Sequence, residues 1–156
     1  MKTIKKYEIR SSRIQVGEME QPYCAAFNAP VDVINAARSI LSGEDQEVFL
    51  VFLLDTKNKV LGYQEVARGA VEGCLVDPRV VFRAAVVLGA SGVILCHCHP
   101  SGDPDPSTED ITLTKRMMYV GDLLGVQVLD HIVFGSTGGK YVSLSERGFI
   151  KEVRAT

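Results

Sequence analysis

Seven consecutive apolar residues, Val48-Phe49-Leu50-Val51-Phe52-Leu53-Leu54, constrain the fold of this chain more than any other feature. The run is too short for an ordinary buried helix and is rich in β-branched and aromatic side chains, so it reads as a strand. Successive strand side chains point to opposite faces of a sheet. With no polar position in the run, both faces must be covered, which makes this a central strand with other elements packed on each side.

The flanking sequence supplies those elements. Val33, Ile34, Ala37, Ile40 and Leu41 form a helical stripe over Asp32 to Leu41, with Gly43 as its stop. Asp77-Pro78 opens a second helix, with Pro in its first turn and an apolar face from Val80, Val81, Ala84, Ala85 and Leu88, broken between Gly89 and Gly92. Ser107 caps a third, whose core side is Leu113, Met117, Val120 and Leu124. Between the helices, Asp55 to Asn58 reads as a turn and Val60 to Ala67 as the second strand of a hairpin. Val93 to Cys96 and Val126 to Phe134 are further strands, and a turn from Gly135 to Lys140 leads into a last short strand near Tyr141. Strands and helices interleaved by short links predict an α/β or layered α+β sheet flanked by helices. Residues 1–30 are less regular: Tyr7, Ile9, Ile14 and Val16 suit an edge strand or docked arm, and Pro22 and Pro30 mark irregular chain. We therefore expect an amino-terminal arm or edge strand over 1–30 and one domain over 31–156, with no internal repeat or linker.

Charge and cysteine usage limit the partners. A net charge of −2 leaves no global basic field for nucleic acid, and only Lys2, Lys5, Lys6, Arg10 and Arg13 begin a local basic patch. The four cysteines, Cys24, Cys74, Cys96 and Cys98, do not form a secreted disulfide pattern, and the charged start lacks an apolar signal segment. No apolar run approaches the roughly 18 residues of a membrane span. The expectation is a cytoplasmic protein with reduced thiols and no membrane association.

The chemistry concentrates in His97-Cys98-His99-Pro100-Ser101-Gly102-Asp103-Pro104-Asp105-Pro106-Ser107-Thr108-Glu109-Asp110, which holds two of the chain's three histidines. On an extended segment, residues i and i+2 share a face with Cα atoms roughly 6.6 Å apart. Two imidazoles can then converge on one ion through bonds of about 2.0–2.1 Å. Cys96 and Cys98 point the other way and drop out as ligands. Pro100, Gly102, Pro104 and Pro106 restrict the loop and allow a sharp return. Asp110 then falls in the first turn of the helix begun at Ser107, where its carboxylate can face the histidines. Two His and one carboxylate leave an open tetrahedral position, as in catalytic zinc sites. A structural reading competes: Ser107-x-x-Asp110 has the form of a capping box, and the histidines could simply end a strand. Asp103 and Asp105 read as solvated loop residues. Hydrolase sites that begin with H-x-H but need further histidines downstream find only His131, and a zinc deaminase would need H-x-E with a later P-C-x-x-C.

The motif H-x-H-P-x6-S-x-x-D resembles that of JAB/MPN+ (JAMM) metalloproteases, and the fuller string from His97 to Thr114 is similar to the RadC branch of that superfamily. The similarity runs from about Ala36 to Ile150 and includes F-L-V-F-L-L-D-T-K-N, D-P-R-V-V-F, L-D-H-I-V-F-G and S-E-R-G. The resemblance implies a mixed β-sheet flanked by helices, of cytidine deaminase-like architecture. It also implies zinc held by His97, His99 and Asp110, and hydrolysis of peptide or isopeptide bonds in a peptide or protein substrate. Ser107 matches the serine that hydrogen-bonds the oxyanion or the attacking water. Glu47, directly before the apolar strand, matches the general base, with Glu65 in the next strand as reserve. Two departures stand out. Cys98 replaces the usual asparagine between the histidines, and the residues before the first helix are too few for the helix-hairpin-helix of longer RadC proteins, which weakens a DNA-repair role. The alternative is a DNA-repair or replication-associated interaction module with a structural or vestigial metal. An exposed edge strand could pair two copies as a homodimer.

Overall fold

The apolar run forms strand β1, Val48–Leu54, and all seven of its residues are buried. The computed structural model describes residues 26–41, 46–69, 76–137 and 139–150. The other elements are α1 (Pro30–Ile40), β2 (Val60–Arg68), α2 (Pro78–Leu88), β3 (Gly92–His99), α3 (Thr108–Leu124), β4 (Gln127–Gly135) and β5 (Tyr141–Ser143). The sheet runs β2-β1-β3-β4-β5. β1 pairs antiparallel with β2 and β3, β3 pairs parallel with β4 through the α3 crossover, and β4 pairs antiparallel with β5. This is the mixed, helix-flanked α/β sheet that the sequence implied.

The alternation along β1 sorts the core into two layers. Val48, Leu50, Phe52 and Leu54 pack against Val33, Ile34, Ala36 and Ala37 of α1, together with Cys96 and Cys98 of β3. Phe49, Val51 and Leu53 pack on the opposite face with Val81, Phe82 and Ala85 of α2 and Met117 of α3. β1 is apolar throughout because α1 covers one face of the sheet and α2 and α3 the other.

The predicted elements shift at their ends, for identifiable reasons. Pro30 is the first residue of α1 rather than irregular chain, so the helix begins inside the arm assigned to 1–30. Its missing N–H costs nothing at that position, and the Asp32 carboxylate accepts from the N–H groups of Asn28 and Ala29 at 2.9 and 3.0 Å. Before it, Ala26 bridges Lys59 and Phe27 joins the core. Tyr7, Ile9, Ile14, Val16, Pro22 and Gly43 lie outside the described residues, as do Cys24, Cys74 and the basic residues from Lys2 to Arg13. The larger difference is β3, which the apolar pattern ended at Cys96 but which continues through His99. His97 pairs with Phe49 of β1 and Val133 of β4, so both neighbours hold the strand where the sequence turns polar.

Candidate metal centre

β3 carries His97 and His99 out of the sheet on the face covered by α3, while Cys96 and Cys98 pack into the α1 layer. His97 is fully buried, its ring stacked on Phe49 with centroids 5.6 Å apart. His99, one pleat farther along, is partly exposed. Their Nε2 atoms lie 3.0 Å apart. Face alternation thus separates the imidazoles from the thiols, and burial pushes both cysteine pKa values up, which keeps them protonated.

The loop after β3 returns Asp110 to the histidines. It is tied to the end of β4, where Ser136 donates from its backbone N to the His99 carbonyl at 3.1 Å and from its hydroxyl to the Pro100 carbonyl at 3.0 Å. Gly135 has no side chain because a Cβ there would lie 2.2 Å from the Gly102 carbonyl oxygen. Ser107 is the N-cap of α3, accepting from the Asp110 N–H at 3.1 Å. The Asp110 carboxylate accepts in turn from the Ser107 N–H and hydroxyl at 2.7 and 2.8 Å. The capping box therefore exists, and it also aims a ligand-type carboxylate. Asp110 Oδ1 lies 3.3 Å from His97 Nε2, and Oδ2 lies 3.7 Å from His99 Nε2. The Ser107 hydroxyl is engaged with Asp110 rather than turned to the centre of the cluster.

A second carboxylate arrives from the entrance to β1. Glu47 Oε1 is 4.0 Å from His97 Nε2. Glu47, His97 and His99 form a group able to hold a metal ion, each offering a ligand atom within 4.8 Å of the others. Glu65 does not join them. It pairs with Leu50, which faces α1, and its carboxylate is bound by Arg68 at 2.9 and 2.8 Å. That pairing also lowers its pKa, the opposite of what a base needs. The reserve assignment therefore fails on geometry: Glu65 is on the far side of the sheet.

Five contacts were not foreseen from sequence. His131 of β4 is fully buried, with Nε2 2.9 Å from His97 Nδ1 and Nδ1 against the Thr114 hydroxyl of α3. Thr114 also donates to the Asp110 carbonyl at 2.6 Å. Asp103, read as a solvated loop residue, contributes its backbone: its carbonyl accepts from His99 Nδ1 at 2.8 Å. Asp105 is exposed and bound by Arg147 at 2.9 Å. Only the parallel β3–β4 register brings His131 beside His97, and no local pattern announces it. A lone histidine beside Asp130 in a largely apolar strand was the available hint.

The electrostatics suit a cation. Burial would raise the Asp110 carboxyl, but the neighbouring His97 and His99 rings and the Ser107 N–H hold it well below the usual carboxylate range. The Asp110 carboxylate, against the opposing effect of burial, raises the His99 pKa. Burial pushes His131 well below the ordinary imidazole value, reinforced by His97, so it is neutral at physiological pH. The donor set also fits a divalent ion. Two ligand atoms of a tetrahedral zinc lie about 3.3 Å apart, given metal–nitrogen bonds of about 2.0–2.1 Å. The His97–His99 and His97–Asp110 separations, 3.0 and 3.3 Å, are close to that edge.

Comparison with known proteins decides the family. Residues 27–149 match the model of the RadC-like JAB domain. The chain belongs to that family. It is 42% identical over 124 residues to a UPF0758 protein of Caldanaerobacter subterraneus subsp. tengcongensis, covering 80% of this chain and 52% of the relative. A UPF0758 protein of Clostridium beijerinckii is 46% identical over 124 residues, 80% of this chain and 53% of that protein. One from Methanosarcina mazei is 41% identical over 125 residues, with 80% and 54% covered. The chain thus spans about half the length of these relatives. The matched region of this RadC-like JAB domain includes every residue of the cluster, from Glu47 to His131. Among the described residues, no helix is long and apolar enough to cross a membrane.

Proposed function

We propose that this RadC-like JAB domain is a zinc-dependent hydrolase of peptide or isopeptide bonds, acting on a peptide or protein substrate. One observation carries the reading: His97 Nε2, His99 Nε2 and the Asp110 carboxylate converge within 3.0–3.7 Å, with Glu47 beside them. In this assignment His97, His99 and Asp110 hold the ion, and the longer reach of Glu47 leaves it as the base. A bound zinc ion polarises a carbonyl and lowers the pKa of water, the chemistry that amide hydrolysis needs at neutral pH.

The chain's own groups divide the remaining work. His97 and Asp110, both buried, set the floor of the site, while His99 and Glu47 are partly exposed and border the side a substrate reaches. Glu47 Oε1 accepts a proton from the attacking water and returns it to the leaving amine nitrogen. Ser107 Oγ keeps Asp110 oriented and, when its proton turns from Oδ2, can donate to the oxyanion. The test is Glu47→Gln: metal content unchanged, hydrolysis of a fluorogenic peptide and isopeptide panel abolished. Retained turnover would remove Glu47 from the mechanism. The basic residues that would serve a DNA-associated interaction module lie outside the described residues, so no structural observation favours that alternative.

A further inference from the structure

We infer that His131, itself oriented by Thr114, is a positioning residue that locks His97 in the tautomer whose Nε2 lone pair faces Glu47, His99 and Asp110. The inference rests on the metal-site reading for its purpose but not for its geometry. It follows from counting protons. The Asp110 carbonyl can only accept, so the single Thr114 hydroxyl proton lies on the 2.6 Å bond to it. The Thr114 oxygen must then accept from His131 Nδ1–H. His131 is fully buried, and among the described residues its ring nitrogens meet only His97 and the Thr114 hydroxyl, with no carboxylate to hold a charge. The imidazole is therefore neutral with one N–H, which leaves Nε2 as an acceptor. Across the 2.9 Å contact, His97 Nδ1 must donate. His97 therefore carries its proton on Nδ1 and presents a bare Nε2 to the cluster. Reversing the order would place the Thr114 oxygen and the Asp110 carbonyl against each other with no proton between them.

Nothing from solvent can substitute within this chain of bonds. His97 and His131 have no exposed surface and Thr114 is 1% exposed. His99 has an independent device, since the Asp103 carbonyl takes its Nδ1 proton and turns Nε2 toward His97 Nε2, 3.0 Å away. The relay also closes on the site. Thr114 stands one turn after Asp110 on α3, so the residue offering the carboxylate anchors the bonds that orient the opposite ligand. Outer partners of this kind fix ring orientation and tautomer, and losing one typically costs 10–100-fold in metal affinity.

The test compares His131→Phe, which fills the space without an acceptor, with His131→Gln, whose side-chain carbonyl can accept from His97 Nδ1–H. Long-range nitrogen–proton NMR of the metal-free protein reports the His97 tautomer, and competition with a chromophoric chelator reports zinc affinity. Wild type should show the Nδ1–H form. His131→Phe should lose that form and weaken zinc binding about 10–100-fold, and His131→Gln should recover both. An unchanged His97 tautomer in His131→Phe, or equal losses in both variants that follow their thermal stability, would overturn the assignment. If His131→Phe does not fold, Thr114→Val against Thr114→Ser poses the same question: only valine removes the acceptor that sets His131. The tautomer reading needs no metal, so a wild type that binds no zinc sinks the hydrolase reading while the role of His131 is still decided.

Discussion

Gly135→Ala would move the metal-site loop without touching a ligand, and the contact it creates sets the size of the effect. The added carbon would sit 2.2 Å from the Gly102 carbonyl oxygen, 2.7 Å from its carbonyl carbon and 3.0 Å from its Cα. Ordinary contact begins near 3.4 Å, so backbone must retreat by 3.4 − 2.2, about 1.2 Å. The loop cannot yield alone, because Ser136 holds the His99 and Pro100 carbonyls. The displacement therefore reaches the Asp103 carbonyl that orients His99. Overpacking of this kind costs about 1–3 kcal/mol, several degrees in Tm for a domain of this size. Losing an outer partner of a metal-ligating histidine typically costs about 10–100-fold, so zinc affinity should fall at least tenfold. Gly62→Ala is the control: on β2, with nothing within 4 Å of its new Cβ, it should leave metal affinity intact. Thermal melts and chelator competition on the two variants decide the matter. Equal Tm and equal zinc affinity for Gly135→Ala and Gly62→Ala would refute the claim that this contact sets the site.

Two further outcomes follow from the same geometry. Cys98→Ala should keep full metal stoichiometry, since Cys98 packs in the α1 layer; metal loss without unfolding, measured by elemental analysis, would mean the pleat is wrong. Metal affinity should rise with pH. The raised His99 pKa means that its proton stabilises the metal-free protein at low pH, and this stabilisation is lost as pH rises through the folded value. The depressed Asp110 pKa works oppositely, giving stability above the ordinary carboxylate range that is lost only as pH falls through its low folded value. Between those limits a metal must displace the His99 proton, so affinity should climb up to about tenfold per pH unit below the His99 pKa and level off above it. A flat profile from pH 5.5 to 8.5 would contradict the assignment of His99 as a ligand.

The sequence was most informative where one local rule dominated. Seven apolar residues could only be a doubly covered strand, and β1 occupies Val48–Leu54 as read. The H-x-H alternation placed the imidazoles and thiols on opposite faces because pleat geometry is local. Pattern failed where tertiary pairing took over. β3 continues past its apolar residues to His99 because β1 and β4 hold it. Glu47 was preferred to Glu65 only through the family resemblance, and it is the β1–β2 register that puts Glu65 on the α1 face of the sheet, away from the histidines. His131 was visible only as a leftover histidine. Its meaning depends on a parallel pairing across the α3 crossover, contact that no short window of sequence contains.

The most direct measurement is the zinc content of the purified chain beside a His97→Ala/His99→Ala variant, by elemental analysis after exhaustive dialysis. Close to one zinc per chain is expected in the wild type and none in the variant, with both folded by circular dichroism. A folded wild type without zinc, or a variant that retains it, would contradict the metal centre on which the proposed chemistry stands.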